Sequence, residues 1–216
     1  MSSSRIPSSQ LSGRRIAILA TDGFEQSELT EPKRLLEQAG AKTEVIAPGG
    51  AAQIKGWNKQ DWGDSVKVDV ALKDARVDNY DALVLPGGVM NPDLLRLEPA
   101  AIALIKSFGD AAKPIAAICH GPWTLIDAGL VKGRKITSWP SLRKDLENAG
   151  AQWQDSEVVR DGLLISSTSR AIFPRLPRPS SRRWVGLRRS AILRCNGTRR
   201  SVALRLRCAT LRVNGE

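Results

Sequence analysis

An α/β fold with a mostly parallel central sheet is the class this chain predicts, on three observations. Short, largely apolar runs at Arg15–Ala20, Asp81–Leu85 and Pro114–Ile118 have the length of strands buried on both faces. Between them lie stretches with helical spacing, such as Glu28 to Ala39, where Leu29, Leu35, Leu36 and Ala39 share one side. Breakers punctuate the pattern, notably Pro48-Gly49-Gly50 and Pro86-Gly87-Gly88. Strands alternating with helices in this way imply a parallel sheet between two layers of helices.

Taken in order, Arg15–Ala20 is the first strand, and Gly40 stops the helix that follows it. Lys42–Ala47 is the second strand. A long polar stretch with Trp57 and Trp62 leads to Ser65–Val70, which alternates like a half-exposed strand. Asp81–Leu85 is a buried strand, Pro99–Phe108 a helix, and Pro114–Ile118 another strand. Helices are expected at Pro122–Ala128 and Leu142–Ala149. Short strands are expected at Lys135–Thr137, Glu157–Val159 and Leu163–Ser166. About 165 residues suffice to bury roughly 70% of the unfolded surface in one core.

Composition excludes several classes. The chain has 216 residues, 42% hydrophobic and 25% charged, as suits one globular domain with an appendage. No run approaches the ~18–20 apolar residues of a bilayer crossing. The Ser-rich start holds no apolar stretch of signal-peptide length, so residues 1–13 read as a disordered lead and the protein as cytoplasmic. Three cysteines and one histidine are too few for a disulfide framework or a Cys/His zinc site, so no metal is expected.

The net charge of +11 is unevenly placed. Residues 168–216 hold 13 Arg, no Lys and one acid, a balance of +12. The 167 residues ahead hold 20 bases and 21 acids and are near neutral. A basic tail is the footprint of nucleic-acid binding, yet this one lacks the Lys that accompanies Arg elsewhere in the chain. Arg-rich, Lys-free sequence also arises when GC-rich coding DNA is read out of frame. Ser169–Leu176 can be written in codons whose one-base shift reads Lys-Pro-Ser-Asp-Leu-Pro-Ala-Phe, a fair loop and helix cap. The expectation is therefore an α/β domain over 14–167 and an out-of-frame tail over 168–216, with nucleic acid disfavoured as a partner. Cys195 and Cys208, in that tail, read as incidental.

The strongest chemical signal is Ala116-Ala-Ile-Cys-His-Gly-Pro-Trp123. A buried strand ends at Ile118, Gly121 allows a sharp turn, and Pro122 suits the start of a helix. A nucleophile at such a corner is lifted out of the sheet to a helix N-terminus. There the dipole favours an anion, so the Cys119 thiol is expected to ionise more readily than free cysteine. The bland alternative is a core cysteine beside a helix cap.

That segment, with Leu85-Pro-Gly-Gly88 and Asp22-Gly-Phe-Glu-Gln-Ser-Glu-Leu29, resembles the PfpI/ThiJ superfamily, particularly its intracellular peptidase and general stress protein branch. Lys132-Gly-Arg-Lys135 and Asn148-Ala-Gly-Ala-Gln-Trp153 extend the likeness, which runs in order from about Arg15 to Ser167. The resemblance implies a flavodoxin-like three-layer sandwich related to class I glutamine amidotransferases. It makes Cys119 the nucleophile, His120 its base and Glu28 the acid whose carboxyl meets the sulfur. A carboxyl desolvated there should have a raised pKa and be able to donate a hydrogen bond. The alternative for Glu28 is a solvated first-turn residue. Gly88 matches the loop whose N–H would face an oxyanion, although Gly-Gly pairs are more often only turns. Asp93 occupies the place of an acid offered to a neighbouring subunit's histidine, but aspartate is shorter than that branch's glutamate.

His120 is the sole histidine, and neighbours on an elbow need not face each other. A glutaminase triad needs a histidine further downstream, so ammonia release from glutamine is disfavoured. The resemblance implies a cofactor-independent cysteine hydrolase of the stress response, a peptidase or a deglycase. Its substrates would be small aldehydes, glycated proteins or peptides. It also implies a homo-oligomer, dimer or hexamer, with no membrane partner. Two other readings stand beside it. One is a chaperone or redox sensor whose low-pKa thiol is oxidised. The other is a frameshifted product destabilised by loss of the family's C-terminal helix.

Overall fold

The computed structural model describes residues 10–169. The Arg-rich tail, with Cys195 and Cys208, and most of the expected disordered start fall outside the described residues. Of that start, residues 10–13 form a turn, and the Leu11 N–H donates to Ala39 O at 2.9 Å.

The chain runs β1 (Arg15–Leu19), β2 (Phe24–Glu25), α1 (Gln26–Gln38), β3 (Lys42–Ala47), β4 (Gln53–Asn58), β5 (Asp61–Lys67) and β6 (Val70–Ala71). It continues through β7 (Ala82–Leu85), α2 (Met90–Arg96), α3 (Pro99–Asp110), β8 (Ile115–Ile118) and α4 (Pro122–Asp127). The described part closes with β9 (Lys135–Ile136), α5 (Arg143–Asn148), β10 (Gln152–Trp153), β11 (Val158–Asp161) and β12 (Leu164–Ser167). The main sheet has the order β11-β12-β8-β7-β1-β3-β6, and every pairing is parallel except that of β11 with β12. The expected α/β class with a mostly parallel sheet is the observed one.

Alternate residues of the central strands feed two apolar layers. Ile16, Ile18 and Val45 pack with Leu29 and Leu36 of α1 on one face. Ala17, Leu19, Leu83 and Leu85 pack with Leu104, Ile105 and Phe108 of α3 and Leu125 of α4 on the other. Fully burying each large side chain stabilises the fold by about 1.5–3 kcal/mol. The apolar runs therefore form strands because both of their faces are covered.

Two regions depart from expectation. The polar stretch after Pro48 is a β-hairpin, β4 with β5, in which Trp57 faces Trp62 across the strands. Their rings meet edge-on at 5.6 Å, a favoured aromatic geometry. The strand expected at Ser65–Val70 is in fact two. β5 ends at Lys67 in the hairpin, and β6 starts at Val70 on the edge of the main sheet. The second departure is α2, a short helix held by buried Asn91, Pro92 and Leu95.

Candidate active site

The C-terminal ends of β1, β7 and β8 converge with the first turn of α1, and the site is built there. β8 delivers Ile118, and Cys119 turns the chain with φ of 56°, a left-handed conformation costly for any residue but glycine. Hydrogen bonds on both sides hold it so. The Cys119 N–H donates to Ser167 O at 2.8 Å, and its carbonyl accepts the Trp139 N–H at 2.9 Å. Gly121 completes the corner, and a Cβ there would lie 2.5 Å from Leu85 O. Pro122 then opens α4. This is the strand-to-helix elbow expected from the sequence.

The turned backbone brings the neighbouring side chains together. Cys119 Sγ lies 3.3 Å from His120 Nδ1. The far nitrogen, Nε2, lies 3.3 Å from Ser141 Oγ. The imidazole is flanked by Trp123, edge-on at 5.8 Å, and Trp139, stacked at 6.2 Å.

Glu28 reaches the same sulfur from α1. It is only 6% exposed, its carboxyl accepts the Gly87 N–H at 3.0 Å, and it hydrogen-bonds the Cys119 thiol. Burial is the largest influence and lifts its pKa to about 7, against the opposing bonds from Gly87 and Cys119. The solvated alternative for Glu28 is thereby removed.

The expectation of an acidic thiol is corrected. Burial raises the Cys119 pKa above the ordinary thiol value, and the Glu28 charge and hydrogen bond raise it further. The backbone N–H of His120 favours the thiolate but is outweighed. Two features explain why the helix terminus fails to compensate. α4 has only six residues, too few for a strong dipole. Its leading N–H groups are also engaged, Gly121 with Ile118 O, Trp123 with His120 O and Thr124 with Gly121 O, while Pro122 has none. Burial likewise lowers the His120 pKa, so desolvation at this corner disfavours both the thiolate and the imidazolium.

The glycine loop takes two parts. Gly87 abuts the sulfur-bearing residue, since a Cβ there would fall 2.8 Å from Cys119 Cβ and 2.5 Å from Glu28 Oε2. Its N–H is committed to Glu28. Gly88 adopts φ of 80°, and its α-carbon presses on Gly23 O and Glu25 N, at 2.4 and 2.6 Å from where a Cβ would stand. Its N–H is the next donor along this loop. Asp93 sits exposed on α2. Within one chain the structure sets Ser141, not Asp93, at His120 Nε2.

Three residues of this neighbourhood drew no attention in the sequence. Asn91 is 1% exposed and ties the loops together, accepting the Thr21 N–H at 2.8 Å and donating to Pro86 O and Gly87 O at 2.9 and 3.2 Å. Trp139 and Ser141 bring the loop before α5 across His120. An Asn next to Pro92 and a Trp-Pro-Ser turn are the only local signals, and neither points to a site without contacts across the fold.

The DJ-1/PfpI family profile matches residues 14–175. "Putative cysteine protease YraA" of Bacillus subtilis is 42% identical over 154 residues, covering 71% of this chain and 88% of the relative. "Deglycase TK1284" of Thermococcus kodakarensis is 43% identical over 153 residues, covering 71% and 89%. "General stress protein 18" of Bacillus subtilis is 42% identical over 158 residues, covering 72% and 90%. Among solved structures, a DJ-1 superfamily protein of Salmonella typhimurium superposes with a TM-score of 0.66 at 28% identity, over 73% of this chain and 82% of that one. Profile, relatives and fold agree along the segment that carries the elbow, and the chain belongs to the DJ-1/PfpI family.

Proposed function

We propose that this protein is a cofactor-independent cysteine hydrolase of the stress response, acting in the cytoplasm on the small carbonyl adducts that glyoxal-type aldehydes form. The observation that carries the reading is the placement of one sulfur between a carboxyl of raised pKa and an imidazole nitrogen 3.3 Å away. The relatives' names, cysteine protease, deglycase and stress protein, point to the same chemistry. Cys119 is 9% exposed, which favours a small electrophile over an extended peptide chain. Among the described residues no helix is long and apolar enough to cross a membrane.

In the first step the Cys119 thiol proton passes to His120 Nδ1 as Sγ bonds to the carbonyl carbon, and the carbonyl π pair moves onto oxygen. The Gly88 N–H is the donor assigned to that oxyanion. Glu28, when it carries its proton, donates to the sulfur and holds the developing thiolate. The same step would serve a peptide carbonyl, so the peptidase reading differs in substrate and not in machinery.

The test is Cys119→Ala, assayed for release of amine from methylglyoxal-modified lysine and arginine and for peptide hydrolysis. Activity is expected to fall to background on the modified amino acids. Retention of full activity would refute the assignment of the nucleophile. Oxygen addition at Cys119 after mild peroxide, with both assays blank in the unsubstituted protein, would favour the sensor reading.

A further inference from the structure

We propose that Asn91 is the positioning residue of the oxyanion donor, fixing the Gly87–Gly88 peptide so that the Gly88 N–H is aimed at the oxygen of the attacked carbonyl. The inference rests on the proposed use of Cys119 and Gly88 and adds what orients that donor.

A trans peptide is planar, and its C=O and N–H point in opposite directions. The direction of the Gly88 N–H is therefore set by whatever holds Gly87 O. Two donors do so. Asn91 Nδ2 donates to Gly87 O at 3.2 Å, and the Glu25 N–H donates to the same oxygen at 3.3 Å. The preceding plane is clamped as well. Pro86 O accepts from Asn91 Nδ2 at 2.9 Å, and the Gly87 N–H donates to Glu28 at 3.0 Å. Three of the four polar groups in these two planes are thus held inside the chain. The fourth, the Gly88 N–H, has no acceptor among the described residues, which leaves it for an oxygen of the substrate.

An amide suits this task. It carries two N–H donors and one acceptor oxygen on a single flat group. Both donors are spent on the glycine loop, while Oδ1 accepts the Thr21 N–H at 2.8 Å. Thr21 lies two residues past β1, so the side chain ties the loop to the end of a central strand. Asn91 is 1% exposed on the first turn of α2, beyond the reach of bulk water. An aspartate of the same shape would set a carboxylate oxygen against two carbonyl oxygens.

Two variants test the clamp. Asn91→Ala should lower kcat on methylglyoxal-modified lysine about ten- to hundredfold, with KM changed less than twofold. Iodoacetamide alkylation, read on the Cys119 peptide by mass spectrometry, should stay within about twofold of native, because that displacement builds no oxyanion. Asn91→Asp keeps the shape and the bond from Thr21, but its carboxyl offers an O–H donor only when protonated. Its kcat relative to native should rise at least about tenfold from pH 8 to pH 5. Glu25 and Glu28, the titratable groups that touch this loop, are common to both proteins. With 15N-labelled glycine, the Gly88 N–H order parameter is expected near about 0.85 in the native protein and below about 0.6 in Asn91→Ala. An equally rigid Gly88 N–H in Asn91→Ala, a matching loss of alkylation, or a pH-independent ratio in Asn91→Asp would overturn the proposal. The order parameter needs no turnover. A loosened Gly88 N–H, beside a native protein inactive on every adduct, would refute the hydrolysis and uphold the clamp.

Discussion

Two buried glutamates, Glu28 and Glu44, are 6% and 7% exposed, yet their pKa values move in opposite directions. Glu44, on β3, is surrounded by donors. Arg15 gives two bonds at 3.0 and 3.1 Å, Tyr80 OH gives one at 2.9 Å, and Lys42 Nζ lies 2.7 Å away. Burial pushes its pKa up, but these partners together overcome burial, and the carboxyl stays below its ordinary value. Glu28 has one backbone N–H, a thiol and the like charge of Glu25, and burial wins. Similar whole-residue exposure thus goes with a structural anion at one end of the sheet and a carboxyl of raised pKa at the other. Deeper desolvation of the Glu28 carboxyl and the cationic partners of Glu44 together separate the two.

The largest expected effect concerns Glu28. Its folded pKa of about 7 exceeds the ordinary 4.5, so the folded state binds the extra proton between those values. Stability should then fall as pH rises from about 4.5 through 7, by up to about 3 kcal/mol. Glu28→Gln should abolish this slope in urea melts between pH 5 and 8. The same change removes the charge that raises the Cys119 thiol, so the midpoint of iodoacetamide reactivity should move down by at least about one pH unit. A parallel slope in variant and native proteins would show that Glu28 titrates normally.

Glu44 should behave in the opposite sense. Its lowered folded pKa contributes stability above the unfolded value that disappears as pH falls through the folded one. Glu44→Gln should cost about 2 kcal/mol near neutrality and progressively less in acid, read by the same melts. Removing one neutral donor should do least. Tyr80→Phe should cost about 1 kcal/mol with aldehyde-adduct activity unchanged. A loss of activity there would mean that the two ends of the sheet are coupled.

Several parts of this structure can be read directly from residue order, and their limits are physical. The runs at Arg15, Asp81 and Pro114 announce strands because burial on both faces demands continuous apolar residues. The β4–β5 hairpin escapes such reading because its exposed face pairs Trp57 with Trp62 inside an otherwise polar stretch. α2 escapes because seven residues with a proline in the first turn carry little intrinsic helical tendency. Its order comes from Asn91, Pro92 and Leu95, buried by other elements.

The site divides in the same way. The Cys-His-Gly-Pro corner, the glycine loop and Glu28 are recognisable from motif order, since local turn chemistry and family likeness are written in neighbouring residues. The direction of the Cys119 pKa is not, because it follows from a carboxyl 91 positions earlier and from how deeply the sulfur is buried. Ser141 depends likewise on a loop that β9 and α5 carry back over the elbow. Amino-acid order alone therefore settled the α/β class, the corner and the cysteine that stands on it. Folding settled which groups are dry, which charges meet and which nitrogen faces the sulfur, since desolvation and Coulomb interactions act through space.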